Sequence, residues 1–321
     1  MTLSKLAQLA NVSVSVVSKA FSGRDDVSEA MRNHVFAVAK EHGCFEQFYH
    51  APYDRPVAVL IVPEVISEYY TKYIHILKER MDALGYTMLV SINNFDAEMT
   101  AELVKYYTEY SKINAVIVFG KLPKVPDKTN IAFVSIGGYN TDFGCRVHIN
   151  SEKGFRSVVS HLKETGHKRI AYVGEPLTES KREMLENIIS GEGIELDPRL
   201  MICSRFRFAD AGKDGVKTLL SLDNRPDAII GAYGYITQGI LAELAERGIS
   251  VPDDISVISM GDDPYPLHPT LNVSYISSMT EKICDKIMEI LKDRIGSQKP
   301  NAPMTAVFDS EFKIGDTIKT R

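Results

Sequence analysis

The stretch TLSKLAQLANVSVSVVSKAFS, residues 2–22, predicts two short helices joined by a tight turn. Apolar residues recur at helical spacing in residues 3–10, so the first helix has one face to bury. Asn11 suits the turn, and Ser13 suits the N-cap of a second helix that begins at Val14. Two helices joined in this way form a helix-turn-helix, whose second helix can lie in a DNA major groove. A plain helical hairpin packed in a core is the alternative.

The charge of this stretch separates the two interpretations. Residues 1–24 contain Lys5, Lys19 and Arg24 and no acidic residue, whereas the whole 321-residue chain has a net charge of −5. Because the chain as a whole is acidic, any contact with nucleic acid must be local. The positive stretch therefore favours DNA binding by these helices over burial.

A third helix and a linker are predicted to follow. Ser28 and Glu29 suit the first turn of a helix, and Gly43 can end it. We therefore expect residues 1–43 to form a small helical DNA-binding domain. Residues 44–55, CFEQFYHAPYDR, mix aromatic and polar side chains with proline and predict a linker without regular structure.

From Pro56 onward, short apolar runs alternate with amphipathic helical patterns. The runs that we interpret as strands include VAVLIV (57–62), TMLVSI (87–92), AVIVF (115–119), IAFVSI (131–136), RIAYV (169–173), DAIIGA (227–232), ISVISM (255–260) and TAVFD (305–309). Continuous apolar strands that alternate with helices predict parallel sheets covered on both faces.

The strand pattern runs in two successive series, which predicts two lobes with a cleft between them. The fold class is therefore a small all-α helix-turn-helix head followed by a two-lobed α/β core of two doubly wound parallel sheets. We expect lobe 1 at about 56–147 plus 277–304, and lobe 2 at about 148–276 plus 305–321. Such sheets bind ligands beyond the carboxyl ends of their strands, so the central cleft predicts a small-molecule site.

Sequence motifs of catalysis and of cofactor binding are absent. No GxGxxG, Walker A, HExxH or GxSxG motif occurs, the four cysteines form no CxxC pair, and the eight histidines are scattered. The acid pairs Asp253-Asp254 and Asp262-Asp263 suit a turn and polar recognition at a strand end better than acid–base catalysis. We therefore expect no enzymatic activity, no cofactor and no metal.

The chain also lacks the sequence features of secreted and membrane proteins. It starts with a polar amphipathic helix instead of a secretory signal, and its apolar runs are too short to span a bilayer. We expect a cytoplasmic protein without a membrane partner.

Motifs in the head and the core resemble those of LacI/GalR-type transcriptional regulators. LSKLAQLANVSVSVVSKAFSG and DDVSEAMRNHVFAVAKEHG resemble the DNA-binding head, whereas GHKRIAYVGEP (166–176) and RGISVPDDISVISMGDD (247–263) resemble core signatures. The resemblance implies a core similar to periplasmic sugar-binding proteins and a homodimer, possibly a tetramer, on a palindromic operator. It also implies repression controlled by an effector in the cleft: a sugar, a sugar phosphate or a related metabolite.

The resemblance implies DNA contacts by the first two helices, at Thr2, Ser13, Val14, Ser15, Val16, Ser18, Lys19 and Ser22. Three of these fall at base-reading positions: Lys19 can donate to guanine, Ser15 can pair with either kind of base edge, and Val14 can touch a thymine methyl. Ser13, Val16, Ser18 and Ser22 flank them, at positions of which several contact phosphates in the family, and Thr2 caps the first helix and can donate to a phosphate. Packing within the head is the alternative for Val14 and Val16.

The linker departs from the family pattern. Members of the family carry a hinge helix with a leucine that enters the minor groove, whereas here Tyr53 lies near that position, beside Pro52, and basic residues are nearly absent. An aromatic ring at Tyr53 could still intercalate. The departure keeps a second interpretation open, namely a small-molecule sensor whose head has weak or lost DNA affinity.

In the cleft, the resemblance implies effector contacts at Tyr69, Tyr70, Asn150, Arg182, Arg207, Tyr233 and Asp262. Tyr69 and Tyr70 match an aromatic pair that stacks on effector rings, although core packing is the alternative for one of them. Asn150 stands where aspartate is commoner, and Asp263 is the alternative to Asp262.

Two further positions bear on the chemistry of the effector. Arg182 matches the family's effector-binding arginine, whose planar fork suits a carboxylate, a phosphate or vicinal hydroxyls. Tyr233-Gly234 replaces a usual Asn-Asp pair and so removes groups that bind hydroxyls. The sequence therefore predicts a phosphorylated or carboxylated ligand near Arg182 and Arg207 in preference to a free sugar.

Overall fold

A computed structural model of the chain describes residues 1–22, 24, 26–49, 55–123, 130–138, 143–261 and 271–321. The chain divides into two compact units, Met1–Arg55 and Pro56–Arg321. Within the residues described, no helix combines the length and the apolar character needed to cross a membrane.

The first unit is a small helical domain, the head. Its helices are α1 (Leu3–Leu9), α2 (Val14–Phe21), α3 (Glu29–Glu41) and the single turn α4 (Phe45–Phe48). The hydroxyls of Thr2, Ser13 and Ser28 cap α1, α2 and α3, each accepting a backbone N–H three residues later at 3.2–3.3 Å. Asn11, with φ 52°, makes the left-handed turn between α1 and α2. Both predicted helices and their turn are confirmed.

The segment expected to be an irregular linker begins instead as part of the head. The rings of Phe45 and Tyr49 stack at 4.5 Å between centroids, and Phe45 lies 5.2 Å from Phe36. Phe48 packs against Phe21 at 5.7 Å. Burial of these aromatic rings on α2 and α3 stabilises the extra helical turn, which the polar residues between them conceal in the sequence. Tyr53 lies outside the described residues.

The second unit, the core, alternates strands and helices in the predicted manner. Its elements are β1 (Val57–Val62), α5 (Glu68–Ala83), β2 (Thr87–Ile92), α6 (Ala97–Tyr110), β3 (Ala115–Gly120), β4 (Ala132–Gly137), β5 (Cys145–Asn150), α7 (Glu152–Glu164), β6 (Ile170–Gly174), α8 (Glu179–Gly191), β7 (Met201–Cys203), α9 (Phe208–Leu220), β8 (Ala228–Gly231), α10 (Gly234–Glu246), β9 (Ser256–Ser259), β10 (Ser274–Ser277), α11 (Thr280–Arg294), β11 (Met304–Asp309) and β12 (Glu311–Lys313).

The strands form two six-stranded sheets, one in each lobe. Lobe 1 has the order β11-β5-β4-β3-β1-β2, and lobe 2 has the order β12-β10-β9-β8-β6-β7. The described pairs are parallel, apart from β10 with β12. Apolar side chains on both faces of the first sheet are buried, one set under α5 and α11 and the other under α6. The predicted fold class is therefore confirmed.

The lobe boundaries differ from those expected. β11 pairs with β5 along its whole length, from Met304 opposite Cys145 to Asp309 opposite Asn150. Residues 305–309 and 148–150 therefore belong to lobe 1 and not to lobe 2. Met304 and Phe308 pack against the core of lobe 1, which explains the pairing, but an apolar strand pattern does not by itself indicate which sheet it joins.

Lobe 2 depends on a close contact between α9 and α10. A Cβ atom added at Gly239 would lie 2.0 Å from the carbonyl oxygen of Ala209, and one at Gly212 would lie 2.1 Å from that of Ile236. Only glycine at both positions permits this approach. It fixes the direction of α9, whose N-cap residue, Arg207, lies in the cleft.

Lobe 2 also buries a histidine, which makes its stability depend on pH. His167 is 2% exposed, and its Nε2 lies 2.8 Å from Oγ of Ser256. Burial lowers the pKa of His167, so the folded chain keeps it neutral while the unfolded chain binds a proton near pH 6.5. Its contribution to stability is therefore present above about pH 6.5 and is lost as pH falls below it.

We expect urea unfolding to report this loss. Between pH 7.5 and 5.5 the free energy of unfolding should fall more in the parent protein than in His167→Gln, because only the parent loses the contribution of a buried neutral imidazole. His75→Gln is the matched control, because His75 is exposed and its replacement should leave the pH dependence of the parent. Equal pH dependence in the parent and in His167→Gln would contradict the assignment.

Candidate functional site

The second helix of the head has a buried face and an exposed face. Val17 and Ala20 are fully buried against α1 and α3, whereas Val14 is 44% exposed and Ser15 and Ser18 are exposed beside it. Val16 is half-buried and packs against the core of the head. Val14 therefore lies on the surface of the head, whereas Val16 contributes to its packing.

The side chain of Lys19 has an acidic partner that the sequence interpretation missed. Its Nζ lies 2.5 Å from Oδ2 of Asp26, and this contact lowers the pKa of the Asp26 carboxyl. Both side chains are exposed, so the ion pair is weak and Lys19 can exchange Asp26 for another hydrogen-bond acceptor. The acid-free run ends at Arg24, which is why the local charge did not reveal Asp26.

A cavity of about 310 Å³ lies between the lobes of the core. Tyr69, Tyr70, Phe95 and Tyr233 line it, with ring centroids 5.1 Å apart for the two adjacent tyrosines. Burial raises the pKa of Tyr70, so its hydroxyl stays protonated. The size and the aromatic lining suit a small organic ligand.

Arg207 also lines the cavity and is held by carboxylates of both lobes. Its Nη1 and Nη2 each donate to Glu64 at 2.9 Å, and its Nε lies 3.3 Å from both oxygens of Glu175. Glu64 follows β1 in lobe 1, whereas Glu175 follows β6 in lobe 2. The carboxylates raise the pKa of Arg207, with Glu64 as the larger cause. The positive charge of Arg207 in the cleft is therefore already paired with the carboxylates of Glu64 and Glu175.

Arg182 does not reach the cavity, contrary to the expectation. It lies on α8 and forms ion pairs with Glu179 and Glu186. The cavity is lined instead by its neighbour Lys181, whose Nζ donates to the carbonyl oxygen of Ala232 at 2.7 Å. Burial lowers the pKa of Lys181 to about 8. Within the described residues, no carboxylate pairs with Lys181, so this ammonium can pair with an anionic ligand.

The remaining predicted residues divide as follows. Asn150 ends β5, and its amide donates to Asp309 at 3.1 Å, so the adjacent Ile149 and Ser151 line the cavity in its place. Asp262 and Asp263 lie outside the described residues. Among those described, no cluster of three or more His, Cys, Asp or Glu side chains could hold a metal ion.

Two protein-family models match the chain, and together they cover more than half of it. Residues 2–44 match the model of bacterial regulatory proteins of the lacI family, and residues 159–318 match the periplasmic binding protein-like domain. The chain belongs to the lacI family. This lacI-family protein is a transcriptional regulator with a helix-turn-helix DNA-binding head and an effector-binding core, which confirms the resemblance.

Similar regulators extend over most of the chain. The HTH-type transcriptional repressor CytR of Escherichia coli (strain K12) is 26% identical over 80% of this lacI-family chain and 79% of its own length. Catabolite control protein A of Staphylococcus xylosus is 23% identical over 81% and 82%. The regulator CelR of Thermobifida fusca is 24% identical over 98% of both chains.

Two solved structures show the same fold along the whole chain. The transcriptional regulator CelR–cellobiose complex superposes with a TM-score of 0.66 over 99% of both chains, at 22% identity. The lac repressor dimer bound to operator and the anti-inducer ONPF gives 0.67 over 99% of both chains, at 18% identity. These likenesses support the two-lobed core and the helical head.

Proposed function

We propose that this lacI-family regulator is a repressor that binds a palindromic operator as a homodimer and responds to a small metabolite in its cleft. The observation that carries the proposal is the exposed face of α2. There Val14, Ser15, Ser18 and Lys19 project from a helix whose opposite face anchors it in the head. Two heads related by a two-fold axis would read two inverted half-sites.

An exposed apolar surface on lobe 1 supports the homodimer. On the edge strand β2, Leu89 is 41% exposed on the face of the sheet that α6 covers, and on α6 Tyr106 and Tyr110 are 56% and 74% exposed. Clustered apolar exposure of this kind is typical of protein–protein contacts. The lac repressor structure, which is described as a dimer on its operator, agrees with this assembly.

The charges of the cleft support an effector with an anionic group. Arg182 and Arg207 are already paired with carboxylates, whereas Lys181 has only a backbone carbonyl as partner among the described residues. A carboxylate or a phosphate would restore the interactions that this ammonium loses on burial. Tyr69 and Tyr70 would pack against the body of the ligand, which we propose is a sugar phosphate or a related metabolite.

Footprinting on the DNA upstream of the regulator's own gene tests the proposal. We expect one protected palindrome, with binding that weakens steeply as salt rises because phosphate contacts release counterions. Sedimentation of the free protein should show a dimer. Absence of binding to every promoter fragment at low salt would contradict the proposal and favour a small-molecule sensor without DNA affinity.

A further inference from the structure

A cluster of four polar side chains joins the lobes across the cleft. Glu64 of lobe 1 accepts two parallel hydrogen bonds from Arg207 of lobe 2, both at 2.9 Å. On the other side of the guanidinium, Glu175 is 1% exposed and accepts from Nε. Burial, and then the nearby Glu175 carboxylate, raise the pKa of the Tyr233 hydroxyl. A bidentate pair of this kind is strong and directional.

The orientation of Arg207 is fixed by more than its carboxylates. Its guanidinium lies over the ring of Phe208, 4.5 Å from the centroid. Phe208 has φ 57°, a left-handed conformation that is rare for a residue with a bulky side chain. The backbone N–H of Phe208 donates to the hydroxyl of Tyr233 at 3.3 Å. Arg207 is therefore held in place by lobe 2 before it meets lobe 1.

The two ion pairs of Arg207 would respond differently to separation of the lobes. If the lobes part, Arg207 stays with Glu175, because both belong to lobe 2, and neither charge is left buried alone. Glu64, which is 12% exposed in its side chain, moves into water and is solvated there. The cleft can therefore open at the contact between Glu64 and Arg207 without leaving a buried charge unpaired.

We propose that Glu64, Arg207 and Glu175 form a cleft clamp that holds the two lobes of the core closed against each other. The clamp keeps the cavity narrow, and a ligand enters when the contact between Glu64 and Arg207 breaks. The proposal deepens the proposed function, since the cavity that the clamp closes is the proposed effector site. Its test uses neither effector nor DNA, so its failure and that of the proposed function are distinguishable.

The distance between the lobes tests the clamp directly. Spin labels are placed at Glu79 on α5 and Glu183 on α8, both exposed, in a Cys203→Ser background that removes the exposed native thiol. Labelled protein is diluted with an excess of unlabelled protein, so that each assembly carries a single labelled chain. Pulsed electron–electron double resonance then gives the distribution of distances between the two spin labels.

We expect one short distance in the parent and a longer, open population in Glu64→Gln. The ratio of open to closed molecules should rise at least about tenfold, as expected for the loss of a hydrogen-bonded charge. Glu64→Asp should open the cleft as well, because it keeps the charge but shortens the reach. Arg182→Gln is the control: it also removes one member of a carboxylate–guanidinium ion pair, but the partners of Arg182, Glu179 and Glu186, both lie in lobe 2.

The outcomes decide the proposal. A longer distance in both Glu64 variants, together with an unchanged distance in Arg182→Gln, supports the clamp. An unchanged distribution in both Glu64 variants overturns it, as does equal lengthening in the Arg182→Gln control.

Discussion

Replacement of Lys19 by alanine is expected to weaken operator binding by about ten- to a hundredfold. A lysine that reads guanine contributes on the order of 1–3 kcal/mol of binding free energy, and its loss relaxes specificity at one base pair of each half-site. Lys19 is suited to this role because it lies on the exposed side of α2 and its present partner, Asp26, is exposed as well. Fluorescence anisotropy with the footprinted palindrome and with singly substituted palindromes measures both effects.

Two variants give this prediction its controls. Lys40→Ala removes the same charge from the end of α3, where Lys40 lies 4.8 Å from the centroid of Phe45, and should leave operator affinity near that of the parent. Asp26→Asn should strengthen binding, because it releases Lys19 from its competing carboxylate. Equal losses in Lys19→Ala and Lys40→Ala, or an unchanged footprint in Lys19→Ala, would contradict base reading by Lys19.

The second large effect concerns Lys181. We expect Lys181→Met to lower affinity for the effector by about ten- to a hundredfold, since a hydrogen bond to a charged group contributes about 1.5–3 kcal/mol. Thermal-shift screening of sugar phosphates, organic acids and free sugars identifies the ligand, and calorimetry then compares the variants. Arg182→Met, one residue along the same helix, should bind like the parent because its side chain does not reach the cavity.

The affinity should also depend on pH. Because burial lowers the pKa of Lys181 to about 8, the amine is mostly protonated at pH 7 and loses its proton as pH rises through about 8. Binding of an anionic effector should therefore weaken as pH rises through about 8, and Lys181→Arg should remove this dependence, since arginine stays protonated. Stabilisation of the protein by uncharged ligands alone would contradict the anionic class.

The sequence predicted the fold well because the fold depends on local patterns. The caps Thr2, Ser13 and Ser28 and the continuous apolar runs each act over a few residues, and they gave the head helices and the parallel strands directly. The placement of β11 was wrong, since its partner β5 lies more than 150 residues away and both sheets accept an apolar strand.

The residues that line the cleft were harder to predict from the sequence than the fold, for two physical reasons. Successive residues of an α-helix point about 100° apart, so an error of one position between Lys181 and Arg182 exchanges a cavity side chain for a surface ion pair. Glu64 and Arg207 are separated by 143 residues, and no pattern within the chain indicates that they meet. Glu175 directly follows the carboxyl end of β6, a position where open α/β sheets place ligand contacts, so its location in the sequence does indicate a residue of the cleft.

The path of the chain between the lobes has a consequence for genetics and for engineering. β11 completes the sheet of lobe 1, and β12, two residues later, completes that of lobe 2. The backbone N–H of Arg321 also donates to Thr165 in lobe 2. A nonsense mutation just before codon 304 would therefore damage both lobes at once. A chimera with a foreign ligand specificity must likewise splice lobe 2 at three junctions, beside Ser151, Ser278 and Ser310.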